Sequence, residues 1–297
     1  MYDMSKPEAS NKSMQLIGIA LVMLIVGVAV GYGFAQSQIK PPEVKPPVTV
    51  TMTYTSPKKV TLLEKIKQKG VIVVGTSADY PPYESIDEKT KKIIGLDVDI
   101  VEAVAKELGL TVKWEDMPFE SLIAALDTGK IEMIAAGMGL KAERIPKMDY
   151  SIAYEQGDNV VVVKGDSQVK TFSDLADVGK LNLKIGVQTG TIQEGRINDL
   201  VKEGKIKKEN VASYQRVDLM ITDIVAGRID AAMIDKPVAD SFATRYPIKI
   251  VYTEWAPPKA LWIPKGEKEL LDAVDTALLK LHKDGVIQQL INKWHAT

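Results

Sequence analysis

The sequence predicts an α/β protein with two core-forming units, set behind a long apolar N-terminal segment. Three observations point there. The chain has 297 residues, and at about 100–200 residues per domain that length suggests two units. From Val60 onward, short apolar runs alternate with stretches of helical periodicity, the pattern of parallel sheets with helices on both faces. Ahead of them, Met14–Ile39 runs for 26 residues without a charged side chain.

That N-terminal stretch reads as a membrane segment. Its centre, Leu16–Ala35, is 20 residues long, the length of a helix that crosses the hydrocarbon core. A buried core helix rarely runs so far without a polar face. Lys6 and Lys12 precede it, and counting Lys and Arg puts the N-terminus inside and the bulk of the chain outside. Residues 1–13 are then a short cytoplasmic segment, and 14–36 a transmembrane anchor or signal sequence. Gly33 and Ala35 are small enough for a cleavage site, but the apolar run exceeds that of an ordinary signal peptide and favours an anchor. Residues 37–59 carry five prolines and several threonines. They cannot build a core, and the Pro-Pro pairs favour an extended stalk.

Composition removes several function classes. The formal net charge is −1, from 38 basic and 39 acidic residues, so no basic excess exists to bind nucleic acid. There is no cysteine, which excludes a thiol nucleophile, a Cys-ligated metal, a disulfide and a lipid anchor on an N-terminal cysteine. The two histidines, His282 and His295, lie near the C-terminus and in no motif.

In the folded part, Thr61-Leu-Leu-Glu64 has capping-box spacing and Gly70 can end that helix. VIVVG (Val71–Gly75) is a buried strand. Asp97–Leu108 places Val98, Val101, Val104 and Leu108 on one helical face, closed by Gly109. TVKWE is a strand, Phe119–Asp127 a helix and Ile131–Gly137 a strand. A second series follows: NVVVV from Asn159, KIGVQ (Lys184–Gln188), a helix over Thr191–Glu203, VASYQ, a helix over Asp218–Ala226, the strand Ile229–Asp235 and a helix over Lys236–Arg245. The strand ALWIP and the helices Glu267–Asp284 and Val286–Trp294 end the chain. Phe119–Gly137 and Asp218–Asp235 share a helix, a Gly-Lys or Gly-Arg turn and an apolar strand, as equivalent units of two lobes would.

GTSADYPPYE (Gly75–Glu84), GLDVDIVEAVAKELGL (Gly95–Leu110), AAGMGLKAER (Ala135–Arg144), YSIAY (Tyr150–Tyr154), GVQTGTIQE (Gly186–Glu194) and AGRIDAAMID (Ala226–Asp235) together resemble, in order and spacing, the polar amino-acid solute-binding proteins of ABC importers. The resemblance covers Val60 to the C-terminus. It implies a type II periplasmic-binding fold, two-lobed and α/β, with hinge crossings near Glu155–Asn159 and Thr253–Pro257. Lobe one would be residues 60–154 plus 258–297, and lobe two 155–257. It further implies an extracytoplasmic protein, which the apolar segment read above would tether to the membrane. Such a protein captures a free L-amino acid by lobe closure and delivers it to an ABC importer permease. No catalytic residue, metal or cofactor is called for, and the soluble part is expected to be a monomer.

A free amino acid offers a carboxylate, an ammonium group and a variable side chain. A closing cleft must pair both charges, because an unpaired buried charge is costly. The planar fork of Arg144 suits bidentate pairing with the carboxylate. Gly137 and Gly139 in the preceding loop can bring backbone N–H groups to the same oxygens, and Ala136 belongs to the same ligand-binding set. Gly190 and the T-x-x-E capping box after it favour an anion at a helix N-terminus. The family pattern assigns that place to the backbone of Thr191 and Ile192, with Gln188 and Gln193 facing the ligand. Asp235 ends an apolar strand at the carboxyl edge, where α/β sheets bind ligands. It is expected to take the ammonium group, and it can also cap the next helix.

Tyr80 and Phe119 match the family's aromatic walls, while Tyr83 and Glu84 read as structural. Ser77 stands where many relatives that bind cationic amino acids have an acid. This argues against a lysine or arginine ligand, unless Asp79 or Glu84 compensates. Gly139 stands where many relatives have Ser or Thr, which removes a ligand hydrogen bond. Two other readings use the same residues. One is a dehydratase-like enzyme on this fold, with Asp235, Asp79, Glu84 or Glu155 as acid or base. The other is a ligand-sensing receptor domain.

Overall fold

Helix α1 (Leu62–Lys69) starts on a complete capping box, with Thr61 Oγ1 accepting from the Glu64 N–H and the Glu64 carboxylate accepting from the Thr61 N–H. The computed structural model, to which this helix belongs, describes residues 60–295. The expected cytoplasmic segment, membrane segment and stalk (residues 1–59) lie outside the described residues. Among the described residues no helix is long and apolar enough to cross a membrane.

After α1 comes β1 (Val71–Thr76), the centre of the first sheet. It runs parallel to β5 (Thr111–Asp116) on one side and β6 (Met133–Ile134) on the other. The sheet continues through β13 (Trp262–Pro264) to β7 (Met148–Tyr150), both antiparallel pairings, in the order β5-β1-β6-β13-β7. Between β1 and helix α2 (Leu96–Glu107), three short strands, β2 (Asp79–Tyr80), β3 (Glu84–Ile86) and β4 (Ile93–Ile94), form a small antiparallel sheet. The apolar run Phe119–Asp127 is a 3-10 turn over Phe119–Ser121 followed by α3 (Leu122–Asp127), rather than one helix.

The second sheet has the order β10-β9-β11-β8-β12, formed by β10 (Val211–Tyr214), β9 (Ile185–Gln188), β11 (Ala231–Asp235), β8 (Asp158–Lys164) and β12 (Ile248–Trp255). Strands β10, β9 and β11 are parallel, and β8 and β12 pair antiparallel. The unbroken apolar run of β8 has a simple cause, because the strand is covered on both faces. Val161 and Val163 pack with Leu175, Ile185, Val187 and Ile197, whereas Val160 and Val162 pack with Val217, Met220, Ile221 and Phe242. Helices α4 (Asp177–Lys180), α5 (Ile192–Lys202), α6 (Val217–Val225) and α7 (Lys236–Ala243) belong to this lobe, and α8 (Lys268–Lys283) and α9 (Val286–His295) end the chain.

The expected strand over Ile131–Gly137 is shorter than its apolar pattern. Its bonding to β1 ends with the Ala135 N–H donating to Gly75 O at 3.0 Å, and beyond that the Gly137 N–H donates instead to the Asp97 carboxylate on α2 at 2.8 Å. The strand at Ile229 likewise begins only at Ala231.

The chain passes from the first sheet to the second between Tyr150 and Asp158 and returns between Trp255 and Trp262. The two passing segments are stitched together. Lys259 N–H donates to Glu155 O at 2.8 Å, and Tyr154 N–H donates to Lys259 O at 3.1 Å. Lys259 also makes a β-bridge to Gly139.

Candidate functional site

Four parallel strands aim their carboxyl ends at one cleft between the sheets. Strand β1 delivers Ser77 and Asp79, β6 delivers Ala136, β9 delivers Gln188 and β11 delivers Asp235. This is where open α/β sheets receive ligands. The cleft encloses about 430 Å³ of space between atoms, including its open mouth. All the residues singled out from the sequence line it: Ser77, Tyr80, Phe119, Ala136, Gly137, Gly139, Arg144, Gln188, Thr191, Ile192, Gln193 and Asp235.

At one end stands Arg144, on the 3-10 turn Ala142–Arg144 and only 3% exposed. Its Nη1 donates to Gly139 O at 2.6 Å and its Nη2 to Gly190 O at 3.0 Å, so the guanidinium ties one lobe to the other. The guanidinium carbon lies 5.5 Å from the Phe119 ring centroid and 5.9 Å from that of Trp262. No carboxylate among the described residues pairs with it. Burial pulls its pKa down to about 10, which leaves it charged at neutral pH. An unpaired buried guanidinium is costly, and a ligand anion would relieve it.

Beside it, α5 starts at Ile192 with Thr191 as its cap. Thr191 Oγ1 accepts from the Glu194 N–H at 3.1 Å and donates to Gln188 O at 2.6 Å. The expected capping box is altered here: the Glu194 carboxylate reaches past Thr191 to the Gly190 N–H, at 2.8 Å. The loop before Arg144 also differs from expectation. The Gly137 N–H does not face the ligand space, because it is committed to Asp97.

At the other end, Asp235 is 5% exposed and both its oxygens are engaged. Oδ1 accepts from Lys259 Nζ at 3.0 Å, and Oδ2 accepts from the Tyr80 hydroxyl at 2.7 Å. The Tyr80 hydroxyl in turn accepts from the Asp235 backbone N–H at 3.0 Å. Asp235 occupies the N-cap position of α7 but its side chain makes no capping bond, since its oxygens are taken by these two donors.

Between the two ends, Asp79 bridges the lobes. It accepts from the Ser77 hydroxyl at 2.7 Å on its own side, and from Gln188 Nε2 at 3.3 Å and the Val217 N–H on the other. Burial raises its pKa to about 6 against these stabilising donors. Gln193 Nε2 donates to Asn159 at 2.8 Å. Glu84, read from the sequence as structural, also lines the cleft. It is 1% exposed, neither carboxyl oxygen has a hydrogen-bond partner, and burial pushes its pKa well above the ordinary range.

Sequence reasoning did not assign a site role to Asn159, Ala256, Pro257 or Lys259, which also line the cleft. Lys259 belongs to the returning segment and reaches the cleft only through its bridges to Glu155 and Gly139. No local pattern carries that information.

Asp97 positions this site from behind. It is fully buried, and besides the Gly137 N–H it accepts from the Tyr154 hydroxyl at 2.7 Å. Burial raises its pKa from 3.8 to about 7. The folded state therefore binds more protons than the unfolded chain between those two values. The ionised carboxylate costs stability above pH 7, and the cost fades as pH falls from about 7 towards 3.8. Asp97→Asn keeps one acceptor for Gly137, and the Tyr154 hydroxyl can turn to accept from the new amide. Thermal melts between pH 8 and 5 should show a shallower rise in Tm for Asp97→Asn than for the native chain. The difference should be at least about 2 °C, the equivalent of about 1 kcal/mol in a domain of this size. Parallel curves would show that Asp97 is not the titrating group.

Comparison with known proteins places this geometry in context. Residues 72–297 match the family model described as bacterial extracellular solute-binding proteins, family 3. The chain is 31% identical over 232 residues to the arginine-binding extracellular protein ArtP of Bacillus subtilis (strain 168), covering 76% of this chain and 86% of that protein. It is 29% identical over 238 residues to the L-cystine-binding protein TcyJ of Escherichia coli (strain K12), covering 78% and 85% respectively. Among solved structures, an ancestral arginine-binding protein bound to arginine aligns with a TM-score of 0.70 at 32% identity, covering 76% of this chain and 98% of that one.

Proposed function

Because this chain belongs to the bacterial extracellular solute-binding proteins, family 3, we propose that it captures a free L-amino acid between its lobes and delivers it to an ABC importer. The observation that carries this reading is Arg144. It is a buried guanidinium with no carboxylate partner, held across the cleft by the carbonyls of Gly139 and Gly190. A ligand carboxylate supplies the missing anion, with the N-terminus of α5 at Thr191 and Ile192 adding to the positive field. Asp235, with the Tyr80 hydroxyl, takes the ammonium group, and Tyr80 and Phe119 flank the carbon skeleton. Glu84, buried without a partner, is left for a donor on the ligand's side chain.

In this reading lobe one is residues 60–154 plus 258–297, lobe two is 155–257, and ligand binding favours their closure about the two passing segments. Residues 14–36 form the uncleaved anchor and 37–59 the stalk, so a monomeric binding unit works outside the cytoplasmic membrane.

Isothermal titration of ligand-free protein against the twenty amino acids tests the binding claim, using the full chain in detergent and residues 60–297 in parallel. Saturable heat is expected from at least one amino acid with both proteins. The same preparations test the tether, because the full chain should stay with membranes through a high-salt wash while the fragment stays in solution. Silence against every amino acid would sink the ligand class, and release of the full chain by salt would sink the anchor.

A further inference from the structure

The cleft contains a resident cation that the amino-acid reading does not use. Lys259 is 1% exposed, and its backbone is pinned on both sides, to Glu155 and to Tyr154. Its ammonium group lies 3.0 Å from Asp235 Oδ1 and 4.8 Å from the centroid of the Tyr83 ring. The position is one where an ammonium ion is well held, by a carboxylate on one side and an aromatic face on the other.

We propose that Lys259 is a specificity-determining residue, which biases the cleft towards amino acids with uncharged or acidic side chains and against cationic ones. The inference rests on the reading of this cleft as an amino-acid site and adds the ligand's side-chain class to it. Every amino acid brings an α-ammonium group, and at Asp235 that group has to share a carboxylate already occupied by Lys259. A cationic side chain then adds one more positive charge to a desolvated space that already holds Arg144 and Lys259. Like charges a few ångströms apart out of water repel far more strongly than in bulk. Glu84 is the unpartnered carboxyl that could offset the added charge, and the positive charge of Lys259 already acts on it. Sequence reasoning reached a similar preference from Ser77. Ser77, however, donates its hydroxyl to Asp79, so an acid stands two positions along and Ser77 alone decides little.

Arginine and citrulline have nearly the same shape and differ in side-chain charge, so their affinity ratio isolates the effect. Competitive titration of the full chain in detergent, against whichever standard amino acid binds most tightly, ranks even weak ligands. The native protein should hold citrulline about 10-fold or more tighter than arginine. Lys259→Met, which fills the same space without charge, should move that ratio about 10-fold or more towards arginine, and Lys259→Arg should leave it near the native value. A purely structural lysine would lower both affinities together and leave the ratio unchanged, and that result would overturn the proposal. Native protein that binds arginine as tightly as citrulline would also overturn it, whether or not Lys259→Met folds. Failure of the native protein to bind any amino acid is a different outcome, which removes the amino-acid reading and this inference with it.

Discussion

Arg144→Ala is expected to abolish measurable amino-acid binding while leaving the fold in place. The substitution removes the one buried cation in the cleft that lacks a carboxylate partner, and with it the link from Gly139 to Gly190 across the lobes. Breaking a buried, hydrogen-bonded charge pair costs about 3–5 kcal/mol, which is roughly a 100- to 5,000-fold loss of affinity. Stability should respond far less. The side chain packs against Phe119 and Trp262, so some contact is lost, but an uncompensated buried charge leaves with it. A melting temperature within about 4 °C of the native value corresponds to about 1–2 kcal/mol in a domain of this size. Arg144→Lys separates charge from shape. It keeps the charge but cannot present two parallel donors, so at least about 10-fold of the affinity should be lost. Titration calorimetry and thermal melts of the three proteins decide the matter. Unchanged affinity in Arg144→Ala would mean that the ligand's carboxylate lies elsewhere.

The place of Arg144 at the cleft was legible through the AAGMGLKAER motif that carries the family resemblance, since an arginine on a short polar turn reads by itself as a surface residue. The fold class was legible for a different reason. Strands covered on both faces leave unbroken apolar runs such as Val160–Val163, and helices that end at glycine leave their stop signals behind. Two- and three-residue strands such as β2, β3 and β4 were not legible, because such short pieces carry no periodicity. The early end of β6 was hidden too. Just past that end the Gly137 N–H meets Asp97, forty positions earlier in the chain, a contact no local pattern shows.

Most of the residues gathered from the motifs share one cleft because they sit at or just beyond the carboxyl end of a strand or at the start of a helix, where topology collects them. Lys259 obeys no such rule. It enters from the returning segment, and its presence beside Asp235 is fixed by pairing with Glu155 and Gly139, contacts of high sequence separation. Glu84 was placed in its motif but assigned to the framework. That its carboxyl is buried and unpartnered is a fact about burial, which the motif cannot convey.

Gly95→Ala is expected to be the most damaging single-methyl change in the first lobe, with a fall in Tm of about 4–24 °C. Gly95 precedes α2 with φ 148° and ψ −179°, a region open in practice only to glycine. A Cβ placed there would lie 2.0 Å from Tyr83 O, 2.4 Å from Tyr83 C and 2.8 Å from Glu84 N. These are backbone atoms, so no side-chain rotation can make room. The same backbone holds the start of the helix, with the Leu96 N–H donating to Pro82 O at 2.8 Å and the Asp97 N–H to Tyr83 O at 3.0 Å. Conformational strain of about 1–3 kcal/mol adds to an overlap cost of about 1–3 kcal/mol, and the total gives the fall in Tm stated above. Binding should weaken as well, because the displaced segment carries Tyr83 and Glu84 and the displaced helix carries Asp97. Gly70→Ala is the control. Its φ is 69°, but a Cβ there meets nothing within 4 Å, so only the left-handed strain remains, about 1 kcal/mol or about 2–4 °C. If both variants melt at the same temperature, the close approach of Gly95 to Tyr83 does not hold the cleft wall in place. If Gly95→Ala alone collapses, α2 and the aromatic wall are one mechanical unit, joined where a side chain has no room.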